Sequence, residues 1–208
     1  MKVSPFLLFL AVSSPGLALS ASADAGKTLF QTQCVACHGA NAEGNAAMGA
    51  PALAGQPADY LFRQLQHFRS GQRGAQAGDS AGAMMIPMAR SLPDEAAAQG
   101  VADYLSTLPK PAVAASVQGD VVQGGKLYQA KCAACHGGKG EGNPAFSSPR
   151  LTQVGDQYLL LQVQHYRQGL RGYDGQDRYG KQMKMMAATV SDAELQDILA
   201  YLGQTAAQ

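Results

Sequence analysis

The chain has 208 residues, and its 16 lysines and arginines nearly balance its 15 aspartates and glutamates. This balance argues against a nucleic-acid-binding protein, which would need an excess of basic residues. With 46% hydrophobic residues the chain can fold, and its length allows one large domain or two small ones. The 24 glycines and 10 prolines predict short helices joined by long irregular connections and exclude a long coiled coil.

Residues 1–23 have the pattern of a secretory signal peptide. A basic start is followed by an apolar stretch over residues 6–12, and small residues lead up to Ala23. The apolar stretch is too short to cross about 30 Å of hydrocarbon and is followed by Pro15 and Gly16. We therefore expect export with cleavage near Ala23 rather than a membrane anchor. No other stretch of the sequence could span a membrane, so any association with a membrane would be peripheral.

The rest of the sequence is an internal repeat with an offset of 98 residues. Residues 34–39 (CVACHG) recur as residues 132–137 (CAACHG). The repeat predicts a first domain over residues 24–108, a proline-containing linker over 109–118 and a second domain over 119–208. The same ungapped offset pairs Glu43 with Glu141, Pro51 with Pro149, Tyr60 with Tyr158, Gln64 with Gln162, His67 with His165, and Arg73 with Arg171.

Each copy predicts three main helices wrapped around loops, which makes the fold class all-α. Alternating apolar runs typical of strands are absent. In the first copy we expect helices over about residues 25–34, from about residue 57 to Gly71, and from Asp94 onward. In the second copy the first and last of these helices begin near Val122 and Asp192, and the middle one ends at Gly169. A methionine-rich loop is expected before the last helix of each copy.

The chemistry of the repeat lies in its two Cys-x-x-Cys-His motifs. Two thiols at this spacing can bond to the two vinyl groups of one haem, and the histidine that follows can reach the iron. A four-cysteine zinc site and a thioredoxin-like thiol exchange are alternatives, but neither explains a histidine after both motifs. The residues predicted to attach two haem c groups, and to supply one iron ligand to each, are Cys34, Cys37, His38, Cys132, Cys135 and His136.

The repeat also selects candidates for the second iron ligand, because a ligand used by both haems should occur at equivalent positions. Two methionine pairs satisfy this condition, Met85 with Met183 and Met88 with Met186. Each pair keeps a constant distance from its motif histidine, 47 residues for the first pair and 50 for the second. Methionines also fill gaps in cores. We expect one of the two pairs to bind iron.

Further repeated residues have candidate roles around the haems. His67 and His165 would give iron a second histidine, but each lies beside an arginine in a predicted helix, and we predict a surface position. Pro51 and Pro149 either accept a hydrogen bond from the motif imidazole through their carbonyls or stiffen a loop. The arginines that could neutralise haem propionates are Arg63, Arg69, Arg73, Arg150, Arg167 and Arg171.

Together, the tandem Cys-x-x-Cys-His-Gly motifs, the Pro-x-Leu segments and the Met before each final helix resemble the dihaem cytochrome c4 family. Residues 51–56 (PALAGQ) are similar to that family's Pro-x-Leu-Ala-Gly-Gln segment, whereas residues 149–154 (PRLTQV) depart from it. In the family the axial methionine lies eight residues before the residue that precedes the helix-start aspartate. The resemblance therefore implies Met85 and Met183 as the iron ligands.

The resemblance implies a periplasmic carrier that passes single electrons from quinol-oxidising complexes to terminal oxidases or other reductases. An iron with both axial positions filled by His and Met also favours electron transfer over catalysis. Two alternatives remain. The chain could be a cytochrome subunit of a dehydrogenase, such as a flavocytochrome c sulfide dehydrogenase. It could also be a dihaem enzyme, a peroxidase or a thiosulfate-oxidising cytochrome, in which one iron lacks the methionine.

Overall fold

A computed structural model describes residues 15–112 and 115–206 of the chain. Most of the predicted signal peptide, residues 1–14, lies outside the described residues. Within the described ranges the backbone forms ten α-helices and only isolated β-bridges. The helices are α1 (Pro15–Gln33), α2 (Val35–His38), α3 (Ala58–Ser70), α4 (Ser80–Arg90), α5 (Glu95–Thr107), α6 (Val121–Lys131), α7 (Ala133–His136), α8 (Asp156–Gln168), α9 (Arg178–Ala187) and α10 (Asp192–Ala206).

The predicted all-α fold of two tandem domains is confirmed. Helices α1 to α5 form the first domain, and α6 to α10 repeat the same order in the second. In each domain the first and last helices cross closely: a Cβ atom added to Gly26 would lie 1.9 Å from the Gly100 carbonyl oxygen, and one added to Gly124 would lie 1.9 Å from that of Asp197. Glycine therefore permits the two helix backbones to touch.

The apolar core of each domain gathers around these crossings. Phe30 is fully buried and its ring lies 5.9 Å from that of Tyr104. In the second domain Tyr128 is fully buried and its ring lies 5.5 Å from that of Tyr201. The crossing thus fixes the end of the first helix, and with it the start of the cysteine motif that follows.

The predicted starts and ends of the main helices are confirmed where the sequence supplied caps. Gly71 ends α3 in the left-handed region with φ 81°. Asp94 caps α5 by accepting a 2.8 Å hydrogen bond from the Ala97 N–H. Ser191 and Glu194 form a capping box at the start of α10. The Ser191 N–H donates to the Glu194 carboxylate at 2.8 Å, and the Glu194 N–H donates to the Ser191 hydroxyl oxygen at 3.2 Å.

The prediction of a methionine-rich loop before each last helix is wrong, because this segment is helical. It forms α4 in the first domain and α9 in the second. Asp79 and Asp177 start these helices, and each accepts a 2.8 Å hydrogen bond from a glycine N–H three residues later. Helix α4 contains Pro87 and both helices contain a glycine, which conceal the helical pattern in the sequence.

The connection between the domains is held at the start of α8. The Asp156 carboxylate accepts hydrogen bonds from the backbone N–H groups of Ser116 and Val117 and from the Ser116 hydroxyl, at 2.5 to 2.9 Å. The end of the predicted linker is therefore fixed to the second domain. No helix within residues 15–112 and 115–206 combines the length and apolar character that a membrane span requires.

Candidate functional site

Each Cys-x-x-Cys-His motif lies on a short helical turn that continues the first helix of its domain. The Cys34 N–H donates to the Phe30 carbonyl at 2.9 Å, and the His38 N–H donates to the Cys34 carbonyl at 3.0 Å. Gly39 then turns the chain away with φ 81°. The second motif repeats this geometry. The Cys132 N–H donates to the Tyr128 carbonyl at 2.8 Å, and the His136 N–H donates to the Cys132 carbonyl at 3.0 Å.

The motif histidines are buried and oriented by proline carbonyls. His38 Nδ1 lies 3.0 Å from the Pro51 carbonyl oxygen, and His136 Nδ1 lies 3.2 Å from that of Pro149. Of the two roles considered for these prolines, the contacts support that of hydrogen-bond acceptor. The contact fixes the tautomer with the proton on Nδ1, which leaves Nε2 of each ring free to bind a metal. Burial lowers the pKa of both imidazoles and so favours the neutral form that a metal requires.

The geometry argues against both alternative uses of the cysteines. Burial raises the pKa of the Cys34 and Cys132 thiols to about 11, which disfavours a thiolate at these two positions. Among the described residues, no three His, Cys, Asp or Glu side chains are grouped as a metal site, so the two cysteine pairs do not form a zinc centre.

A cavity that is open to solvent at its mouth lies beside the first motif. We call it the first cavity. Cys37 and His38 lie on one side of it, and the methionines of α4 also line it. The residues that line it from the second domain are Val154, Tyr158, Leu161 and Gln162.

The methionines of α4 and α9 differ in exposure. Met85 and Met183 are half-buried, whereas Met88 and Met186 are each 39% exposed. Met85 and Met88 both line the first cavity. Both candidates of the first domain therefore lie at its site, and the half-buried Met85 is the better enclosed.

Two buried arginines join the domains with near-twofold symmetry. Arg73 donates to Gln64 of its own domain at 2.8 Å, and to Tyr158 and Gln162 of the other domain at 2.8 and 3.0 Å. Arg171 makes the matching set, to Gln162 at 2.8 Å and across to Tyr60 and Gln64 at 3.3 and 3.0 Å. We call these two residues the interdomain arginine pair. Their hydrogen-bond partners are all neutral, and the carboxylates of Asp79 and Asp177 are also buried at this junction.

The predicted surface position of His67 and His165 is wrong. His165 is 6% exposed, and its Nδ1 lies 3.6 Å from an Asp79 carboxylate oxygen of the other domain. His67 Nδ1 lies 3.7 Å from Asp177. Each histidine thus faces the aspartate that starts the methionine-bearing helix of the other domain. The sequence contained one signal of this symmetric interface. His67 occurs in both copies of the repeat, and so do Tyr60, Gln64 and Arg73.

The remaining arginines divide into two groups. Arg69 donates to the Ala89 carbonyl at the end of α4 at 3.2 Å, and Arg167 donates to the Ala187 carbonyl at the end of α9 at 2.9 Å. These two arginines therefore have a structural role at helix ends. Arg63 and Arg150 lie near the second motif. The side-chain Nε atoms of Arg63, Arg73 and Arg150 are buried without a partner among the described residues.

The comparisons with known proteins agree with this geometry. The family described as cytochrome c matches residues 23–109 and 121–206. Cytochrome c4 of Azotobacter vinelandii is 32% identical over 205 residues, covering 94% of this chain and 95% of that protein. A thiosulfate dehydrogenase electron acceptor of Stutzerimonas stutzeri (strain A1501) is 37% identical over 178 residues, covering 81% of this chain and 76% of that protein.

A solved structure extends the similarity to three dimensions. Reduced recombinant cytochrome c4 from Pseudomonas stutzeri matches with a TM-score of 0.69 and 28% identity, covering 87% of this chain and 97% of that one. Two tandem helical domains, each with a haem-attachment motif, define a dihaem c-type cytochrome. The chain belongs to the cytochrome c4 family. It is an electron-transfer protein rather than an enzyme, and it carries two covalently bound haem c groups.

The residues around the first cavity fit such a cofactor. Haem brings two propionate carboxylates, and Arg73 lines the first cavity with its Nε atom buried and unpartnered. A carboxylate there would satisfy the free donor and compensate the buried charge. Arg171 is equivalent to Arg73 in the repeat and is likewise buried.

The half-buried position of His67 predicts a pH-dependent stability. Burial holds its pKa below the ordinary value, although Asp177 opposes the shift. The unfolded chain then takes up a proton near pH 6.5, about its ordinary pKa, before the folded chain does. The free energy of unfolding should therefore fall as the pH is lowered from about 7 to about 5. Urea unfolding of the haem-loaded protein at both pH values, followed by circular dichroism, measures this.

His67→Gln is the variant that checks the assignment. It keeps a polar side chain that can reach Asp177 and removes the titrating group. The difference in unfolding free energy between the two pH values should be smaller in this variant than in the parent protein. An equal difference in both proteins would show that His67 does not titrate on unfolding.

Proposed function

We propose that this chain is a periplasmic carrier that passes single electrons between respiratory redox proteins. In this proposal one haem is attached to Cys34 and Cys37 in a domain over residues 24–108, and the other to Cys132 and Cys135 in a domain over 119–208. The observation that carries it is the bond from each motif histidine to a proline carbonyl, which leaves Nε2 as the nitrogen available to iron. When bound, each haem supplies the one-electron couple of its iron.

The proposed axial ligands are His38 with Met85 and His136 with Met183. Met85 lines the first cavity and is half-buried, which supports it over the more exposed Met88. In the second domain Met183 is half-buried and Met186 is exposed. Ligation by His and Met raises the reduction potential and leaves no position for a substrate. The chain's own residues then hold both iron ligands in place and exclude water.

Substitution of the ligands should be visible in the optical spectrum of the oxidised protein. Met85→Ala and Met183→Ala should each remove about half of the weak far-red charge-transfer band that iron–sulfur(Met) bonding produces, and each should lower one reduction potential. The matched controls are Met88→Ala and Met186→Ala, which should keep the full band. If the controls lose the band and the first two variants keep it, the alternative methionine pair holds the iron.

Docking to redox partners should use the exposed apolar rim of each site. Met48 and Met84 at the mouth of the first cavity are 46% and 59% exposed. Phe146, the equivalent of Met48 in the second domain, is 48% exposed. Brief electron-transfer encounters use small interfaces of this kind. Partners consistent with the family resemblance are quinol-oxidising complexes as donors and terminal oxidases or other reductases as acceptors.

A second candidate function is favoured by one relative, the thiosulfate dehydrogenase electron acceptor that is 37% identical to this chain. In this case the donor would be a dehydrogenase rather than a quinol-oxidising complex. Stopped-flow mixing of the oxidised protein with each type of purified donor separates the two. Rapid reduction by the quinol-oxidising complex alone supports the respiratory carrier, and rapid reduction by thiosulfate dehydrogenase alone supports the second candidate. Reduction by neither donor would contradict both.

The proposed location requires removal of the signal segment. Expression of the full chain in a bacterium with haem-attachment machinery should yield a periplasmic protein whose first residue is Asp24. Mass spectrometry of the periplasmic fraction measures the mass of the processed chain and so identifies its first residue. Ala23→Arg removes the small residue before the cleavage bond and should leave the unprocessed chain at the membrane. Mature protein in the cytoplasmic fraction would contradict the proposal.

A further inference from the structure

The two domains exchange a pair of contacts between a histidine and an aspartate. His67 of α3 faces Asp177 of the second domain, with 3.7 Å between Nδ1 and a carboxylate oxygen, and His165 of α8 faces Asp79 of the first domain at 3.6 Å. The two histidines are equivalent in the repeat, and so are the two aspartates. Each domain therefore reaches across the junction with the same side chain to the same point of its neighbour.

The point of contact is the start of the helix that carries the candidate iron-binding methionines. The Asp79 carboxylate accepts a 2.8 Å hydrogen bond from the Gly82 N–H and caps α4, and Asp177 caps α9 through Gly180 in the same way. Met85 lies six residues after Asp79, which is about 9 Å along the axis of an α-helix. A displacement of the capped end therefore moves the methionine with it.

Each methionine helix is also held by its own domain. Arg69 donates to the Ala89 carbonyl at 3.2 Å and to the Leu92 carbonyl at 2.7 Å, at the end of α4. At the start of α4, a Cβ atom added to Gly74 would lie 2.4 Å from the Gly82 carbonyl oxygen, so the first turn packs directly against the preceding loop. The contact with the histidine adds a hold from the opposite domain.

The histidine–aspartate contacts lie in a poorly solvated place. Asp79, Asp177 and His165 are buried, and His67 is half-buried. Nδ1 of His165 has no hydrogen-bond partner among the described residues, and 3.6 Å exceeds a direct hydrogen bond, so its contact with Asp79 is electrostatic. Such a contact acts strongly where little water competes. Loss of the imidazole would leave a buried carboxylate with less compensation at the start of the helix.

We propose that His67 and His165 are positioning residues for the iron–methionine bonds of the opposite domains. His67 holds α9 and with it Met183, and His165 holds α4 and with it Met85. This inference rests on the axial ligands proposed above. Residues beyond the ligands of a metal site orient those ligands, and here each such residue belongs to the other domain. The junction of the domains therefore keeps both irons closed to external ligands.

Displacement of methionine from ferric iron by imidazole tests the inference. Stopped-flow mixing of the oxidised, haem-loaded protein with a high concentration of imidazole follows the loss of the weak far-red band. His67→Phe keeps a ring of similar size and removes the N–H group that faces Asp177, whereas His67→Gln keeps an N–H donor. The band should disappear about tenfold faster in His67→Phe, because the interaction of a polar group with a charge is removed. His67→Gln should resemble the parent.

The two iron sites are separated by testing each histidine variant in a protein that retains one iron–methionine bond. Met85→Ala leaves the bond of the second domain, and Met183→Ala leaves that of the first. His67→Phe should accelerate displacement in the Met85→Ala protein and leave the rate in the Met183→Ala protein unchanged. His165→Phe should have the opposite effects.

Tyr173→Phe is the matched control for a general loosening of the junction. The Tyr173 hydroxyl donates to the Gly71 carbonyl of the first domain at 2.6 Å. The variant removes this interdomain hydrogen bond and keeps both histidines. It should leave the rate of displacement unchanged in both proteins that retain one iron–methionine bond.

Three results would overturn the inference. Acceleration at the iron of the histidine's own domain would contradict the crossed arrangement. Equal acceleration at both irons, or acceleration in Tyr173→Phe, would assign the effect to a looser junction. Unchanged rates in His67→Phe and His165→Phe would remove the positioning role.

A failure of the proposed iron ligands gives a different result. In that case Met85→Ala and Met183→Ala would each keep the full far-red band before imidazole is added. Met88 and Met186 lie on the same two helices. Met88→Ala and Met186→Ala would then be the proteins that retain one bond, and the same crossed pattern of rates is expected in them.

Discussion

The burial of two like charges between the domains is the constraint on which the assembly depends. Arg73 and Arg171 are 7% and 6% exposed, and every hydrogen-bond acceptor described around them is neutral. Buried cations without counter-charges are costly. The carboxylates that a haem brings fit this place, so that cofactor loading and the docking of the domains would stabilise each other. The interface and the cofactor sites therefore form one unit.

The repeat made much of this architecture predictable. Equivalent cysteines, histidines and methionines selected the candidate iron ligands, and the caps at Gly71, Asp94 and Ser191 located the helix ends. The proline carbonyls were also predictable, since Pro51 and Pro149 stand 13 residues after their histidines. These features depend on contacts close in sequence or on patterns present twice, and both kinds of information are visible in the chain itself.

Contacts between the copies were not predictable in the same way. Comparison of the two copies shows which residues they share, but it does not show which of these residues meet. His67 and Arg73 were therefore interpreted as residues of a surface or of a single haem site, whereas both lie at the junction of the domains. The helices that carry Met85 and Met183 were missed because a proline or a glycine interrupts their pattern, and the aspartate caps at their starts were not considered.

The near-twofold relation of the domains has a consequence for how such a protein can evolve. Each domain carries both halves of the interface, so one domain alone could pair with an identical copy in the manner of a symmetric dimer. In such a dimer every residue occurs twice in the same environment, and the two sites must be energetically identical. Fusion of the copies by a linker removes that requirement. Arg63 and Leu161 occupy equivalent positions and can differ only because one chain encodes both.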